Sequence, residues 1–133
     1  MDLSIKGVDL VKKAEFLLVK TSEIEWEDGE KILGYKGSKV KIIAEAEDEI
    51  SERVDKFVKY APGFTEPRHT HGYAHSTLIL EGEMHCDGKI LKEFDYVYGP
   101  ANVPHGPYYY PKGVVLYSAG RGKQISQKHN DGK

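Results

Sequence analysis

The segment HTHGYAHSTLILEG, residues 69–82, decides how this chain folds. Its second half, STLILEG, is a branched and aliphatic run closed by a glycine, the pattern of a buried strand. Side chains alternate across a strand, so residues of equal parity share a face. His69, His71 and His75 are all odd-numbered, as are Tyr73, Thr77 and Ile79. If the segment runs as one strand, or as a strand with an even-length kink, the three imidazoles point inward together. His105, in the proline-punctuated stretch GPANVPHGP, can join them from a neighbouring strand. Imidazole is the commonest protein ligand for zinc, copper, iron and nickel, so the pattern predicts one divalent metal ion on three or four histidines.

Working outward, the chain reads as strands separated by turns. VKIIAEA, SERVDKFVKY, FDYVY and GVVLYSAG are strand runs, and STLILEGEMHC is the strongest. In SERVDKFVKY, Val54, Val58 and Tyr60 share one face and Arg53, Asp55 and Lys59 the other; Phe57 breaks the pattern. Asp28-Gly29, Gly37-Ser38 and Asp87-Gly88 are turn signals, the last a two-residue hairpin. An all-β sandwich or barrel follows. The N-terminus is ambiguous: Leu10, Ala14, Leu17 and Leu18 have helical spacing, while FLLV could be a short strand, so a short N-terminal helix is one expectation. Residues 1–120 are read as one domain and residues 121–133, polar without apolar period, as a tail that includes His129.

Bulk properties exclude several classes. A net charge of -2 with mixed signs gives no electrostatic case for nucleic acid. No apolar run approaches the ~20 residues that span a bilayer, and the first residues do not form a secretory leader. Cys86 is the single cysteine, so no internal disulfide can form. A cytoplasmic protein is expected.

The residues GFTEPRHTHGYAHSTLILEG resemble the first motif of the cupins, G-x5-HxH-x3-E-x6-G. Gly63, His69, His71 and Gly82 hold their places, and His75 stands where the family has glutamate. Pro100 and His105 match the second motif; Phe94 replaces its first glycine, Asn102 its second and Tyr109 its asparagine, while Asp95 fits the acid that often follows. The resemblance implies a single-domain jelly-roll β-barrel of the RmlC-like kind, with a metal in its mouth. It carries over His69, His71 and His105 as ligands, with His75 either a fourth ligand or a group that contacts substrate. It also implies a homodimer. Acetylacetone-cleaving dioxygenases and a polyketide cyclase of the superfamily are similar in lacking the glutamate.

Loss of that glutamate raises the expected charge of the loaded site from about +1 to about +2. An anionic chelate, such as an enolised dicarbonyl, would then be attracted. The leading expectation is a dioxygenase: Fe2+ on the histidines, a small enolisable carbonyl substrate, O2 and C–C cleavage, with His75 and Tyr73 as catalytic candidates. Zn2+ or Ni2+ would instead support a non-redox isomerase, cyclase or lyase. A third expectation is a small-molecule or metal-sensing module, as in anti-sigma factors. Tyr73, Tyr96, Tyr98 and Tyr108 to Tyr110 are candidate walls of the pocket, though most are expected to pack the barrel. His85 is assigned to a hairpin end. Glu81 faces inward by parity but lies at a strand end, where water reaches it.

Overall fold

The computed structural model describes residues 4–5, 8–11, 16–47 and 52–122. Among the described residues twelve strands run in chain order: β1 Ser4–Ile5, β2 Val8–Val11, β3 Glu27–Asp28, β4 Lys39–Glu47, β5 Glu52–Tyr60, β6 Phe64–Glu66, β7 Ala74–Gly82, β8 Met84–Cys86, β9 Lys89–Leu91, β10 Tyr96–Gly99, β11 Tyr108–Tyr110 and β12 Val114–Gly122. They form two sheets: a large one in the order β1-β2-β4-β5-β12-β7-β10, with β3 also on β4, and a small one in the order β6-β11-β8-β9. Pairing is antiparallel except between β2 and β4. This is the jelly-roll arrangement. Among the described residues the hydrogen bonding makes two stacked sheets rather than one closed cylinder.

Alternation builds the core. Val58 and Tyr60 of β5, Ile79 of β7 and Leu116 of β12 face Met84 of β8 and Tyr108 and Tyr110 of β11. Ile79 and Tyr110 are fully buried, and each such apolar side chain contributes on the order of 1.5–3 kcal/mol. One end is closed by an aromatic stack in which the Tyr60 ring lies 4.9 Å from Phe64 and 5.2 Å from Tyr110. Phe57 breaks the inward pattern because it packs on the outer face, 6.3 Å from Tyr117.

The hairpin expected at Asp87-Gly88 holds in detail, and three motif positions have backbone that glycine favours. Asp87 and Gly88 both have positive φ (52° and 75°), the geometry of a two-residue hairpin between β8 and β9. Gly82 has φ 87°, and a Cβ there would run into the Gly113 carbonyl, so glycine is required where β7 leaves the sheet. Phe94 (φ 71°) and Asn102 (φ 62°) keep left-handed backbone where the second motif has glycine.

The N-terminal expectation is corrected. Val8–Val11 is a strand, and residues 16–20 are neither helix nor strand, with Phe16 88% and Leu18 84% exposed. No N-terminal helix occurs among the described residues; Ala14 lies outside them. The turn signal at Asp28-Gly29 stands where the chain reverses between β3 and β4, and it opens the one-turn helix α1, Glu30–Leu33, with the Asp28 carboxylate accepting from the Glu30 N–H at 3.2 Å. Residues 123–133 of the expected tail, His129 included, also lie outside the described residues.

Candidate metal centre

The imidazoles converge although residues 69–75 are not one strand. His69 pairs with His105 through reciprocal backbone hydrogen bonds, each 2.9 Å. The chain then bends at residues 72–73 before β7 begins at Ala74. The Asn102 N–H donates to the His71 carbonyl at 2.8 Å, which ties the second-motif loop to the first motif. Arg68 points away, as parity requires, and donates to the Gly106 carbonyl at 3.2 Å.

Three rings are oriented by backbone carbonyls. Nδ1 of His69 bonds the Pro67 carbonyl (2.8 Å), that of His71 the Tyr73 carbonyl (3.0 Å) and that of His105 the Val103 carbonyl (3.0 Å). A carbonyl only accepts, so each Nδ1 carries the proton and each neutral ring keeps its Nε2 lone pair for a ligand. Nitrogens of His69, His71 and His105 all lie within 4.8 Å of one another. Nε2 of His105 is 3.1 Å from that of His69 and 3.4 Å from that of His75. Two nitrogens about 2.0–2.1 Å from a shared ion at tetrahedral or octahedral angles stand roughly 2.8–3.4 Å apart, so the donors fit a divalent metal. Lone pairs this close repel unless a proton or a metal sits between them, and burial works against the proton. Burial first, then the neighbouring imidazoles and Lys56, push His75 down to about 3. Burial also pushes His105 down.

His75 stands beside the trio. Its Nδ1 is 3.2 Å from the Thr77 hydroxyl, and its ring is seated against Gly99, where a Cβ would come within 2.7 Å of Nε2. Tyr73 lines the cavity with its ring stacked on His71 at 4.1 Å. Of the other tyrosines, Tyr108 and Tyr110 face inward, whereas Tyr96, Tyr98 and Tyr109 are exposed and leave the pocket wall. In β10 and β11 the intervening residues, Val97 and the Tyr108–Tyr110 pair, take the inner face. His85 bonds Glu83 at 3.0 Å on the small sheet, apart from the cluster. Glu81 is exposed.

The sequence reading missed two charged residues that line the cavity, a space of about 70 Å³. Glu66 of β6 is buried, accepts from the Tyr110 hydroxyl at 2.7 Å and lies 3.6 Å from His69 Nε2. A carboxylate therefore stands beside the imidazoles despite the loss of the motif glutamate, which corrects the expectation of a site without neutralising charge. Lys56 of β5 is also buried; burial pushes its ammonium pKa down, and Asp55, Glu66 and Glu45 pull it back up. The signal was available: Lys56 shares parity with Val54, Val58 and Tyr60, and Glu66 with Phe64.

Solved structures share the fold. An RmlC-like cupin of Shewanella frigidimarina has a TM-score of 0.62 at 20% identity, over 83% of this chain and 94% of that one. A protein of Methylibium petroleiphilum, provisionally assigned as an acetylacetone dioxygenase, has a TM-score of 0.63 at 15% identity, covering 80% and 77%. The polyketide cyclase RemF of Streptomyces resistomycificus has a TM-score of 0.58 at 16% identity, covering 81% and 79%. At these identities the likeness shows the fold alone. No curated protein matches the chain. No helix among the described residues is long and apolar enough to cross a membrane. Residues 14–124 match the profile of the ChrR cupin-like domain, and the chain belongs to that cupin family.

Proposed function

We propose that this protein is a mononuclear metal enzyme acting on a small enolisable carbonyl compound, with dioxygenase-type C–C cleavage as the reaction. The observation that carries the metal site is the convergence of His69, His71 and His105 with each Nδ1 spent on a backbone carbonyl. A divalent ion in this position would polarise a carbonyl oxygen and lower the pKa of an enol. The chain's own groups do the rest. The three imidazoles hold the ion, and His75 adds a fourth nitrogen. Tyr73 braces the His71 ring by stacking. Glu66 offers a carboxylate that can hold a proton taken from the substrate carbon, with the Tyr110 hydroxyl steadying the charge. The apolar wall of Val58, Leu116 and Met84 restricts water. The fold is shared with the provisionally assigned acetylacetone dioxygenase, and the choice of reaction rests on the four imidazoles in place of the motif glutamate. The same reading takes iron as the ion and the protein as a cytoplasmic homodimer.

A second reading, a metal-sensing module that holds zinc, is supported by the match to the ChrR cupin-like domain, ChrR being an anti-sigma factor bound to SigE in a solved structure of Rhodobacter sphaeroides. Metal content separates the two. Protein purified anaerobically and loaded with Fe2+ should consume O2 when 2,4-pentanedione is added, and His69→Ala or His105→Ala should remove both metal and uptake. Zinc held tightly, with no turnover of diketones in either metal form, would reject the oxygenase and leave the sensor. Non-oxidative conversion of the diketone by the zinc form would point to isomerase, cyclase or lyase chemistry.

A further inference from the structure

The inner face of the large sheet carries a polar row that core packing does not require. Register sets Lys56 of β5 opposite Ser118 of β12, and Ser118 opposite Thr77 of β7. Neighbouring members of this row are about 4.8 Å apart, and all three line the cavity. His75, with Gly120 and Gly99 opposite it, lies two residues along β7, about 7 Å away. Lys56 is only 9% exposed. Its ammonium makes no hydrogen bond, and no ion pair within 4.0 Å, among the described residues. The attracting carboxylates of Asp55, Glu66 and Glu45 act from further away. The Ser118 hydroxyl has no hydrogen-bond partner among the described residues either, whereas that of Thr77 is engaged with His75.

The same face otherwise carries Val58, Ile79 and Leu116, so an aliphatic residue at position 56 would complete the core. An ammonium enclosed without a close counter-ion is strongly unfavourable, and a bound anion relieves that cost. We propose that Lys56 and Ser118 form a carboxylate subsite in the cavity, so that the molecule bound is a small carboxylate anion whose other end presents oxygen atoms to the imidazoles. This rests on the reading of the imidazoles as a metal site. Glu66, contributed by the opposite sheet, repels a carboxylate from its own wall and so favours the Lys56 side. The two rows stand about 7 Å apart along the strands, so an anion that reaches both is a short one.

The test uses malate and lactate, which share a 2-hydroxy acid end; only malate has a second carboxylate. With zinc-loaded protein, calorimetry should show malate binding at least about tenfold more tightly than lactate. Lys56→Met should erase that advantage, lowering malate affinity at least about fivefold more than lactate affinity, and should raise the unfolding temperature by removing a buried charge. The Lys56 side-chain NMR resonance should move with malate and not with lactate, in zinc-loaded and zinc-free protein alike. Failure to take up zinc would sink the metal reading and leave this resonance to decide the subsite. Equal affinities in the wild type, an advantage that survives Lys56→Met, or an unmoved resonance would each overturn the subsite. If Lys56→Met does not fold, the resonance of the wild type still decides between a subsite and none.

Discussion

Gly99→Ala asks whether His75 belongs to the metal site without touching any histidine. Gly99 sits directly opposite His75 in the β10–β7 ladder. A Cβ there would stand 2.7 Å from Nε2, 3.1 Å from Cε1 and 3.3 Å from Cδ2 of the ring. Ordinary contact begins at 3.4 Å, so Nε2 must retreat by about 0.7 Å. Metal–ligand distances tolerate about 0.2 Å, so a shift of this size would strain a bond from His75 to the ion. Gly99 lacks a positive φ, and alanine fits its backbone. Replacing a strand glycine gains about 0.5–1 kcal/mol, while weakening the 3.2 Å contact between His75 and Thr77 costs about 0.5–1.5 kcal/mol. Stability of the metal-free protein should therefore change by no more than about 1 kcal/mol. Zinc affinity, measured by competition with a chromogenic chelator, should fall at least about tenfold, or ~1.4 kcal/mol. Unchanged affinity in Gly99→Ala, beside complete loss in His69→Ala, would refute the argument and leave a three-histidine site.

Two further outcomes follow from the backbone and from protonation. Phe94→Gly should stabilise the protein by about 0.5–1 kcal/mol, because left-handed backbone costs a side-chain-bearing residue about 1–2 kcal/mol and glycine gives back part of that in the unfolded chain. The Phe94 ring is 79% exposed at φ 71°, so little packing is lost, and a lower melting temperature in calorimetry would count against this. The metal-free protein should lose stability in acid through His75, whose native pKa of about 3 lies below the ordinary 6.5. Its contribution is intact above about pH 6.5 and is lost as the pH falls from there toward 3, since the unfolded chain then binds a proton that the native ring refuses. Between pH 7 and pH 5 the loss is about 2 kcal/mol, measurable as a lower guanidinium midpoint; a midpoint that holds or rises would contradict it.

Parity carried the sequence reading of the site further than strand continuity did. Residues 69–75 bend, yet His69 and His71 still meet His105 and His75 stands 3.4 Å from it, because a kink of even length preserves facing. Hairpin geometry at Asp87-Gly88 was legible for a local reason: both residues tolerate positive φ. The N-terminus was not legible, since a four-residue apolar run supports helix and strand equally until its contacts are known. Tyr96 and Tyr98 show the limit of composition. An aromatic residue suits either face of a strand, and only the inward seating of Val97 and Gly99 turns these two rings toward solvent.

The charged residues of the cavity carry the wider point. A lysine in an alternating strand reads as solvated, because burying one is costly and therefore rare. Lys56 nevertheless keeps strict parity with Val54, Val58 and Tyr60, and Glu66 keeps it with Phe64. With a divalent ion on the imidazoles, Glu66 would remove one positive charge and a protonated Lys56 would restore it. The net charge available to an anion is then about +2, the value expected from the histidine substitution alone, but it is differently distributed. Negative charge lies beside His69, and positive charge lies on the neighbouring sheet. Such a gradient favours a ligand held by both ends over one attracted to the ion alone. Glu66 and Lys56 therefore change where the positive charge of this cavity lies rather than how much of it there is.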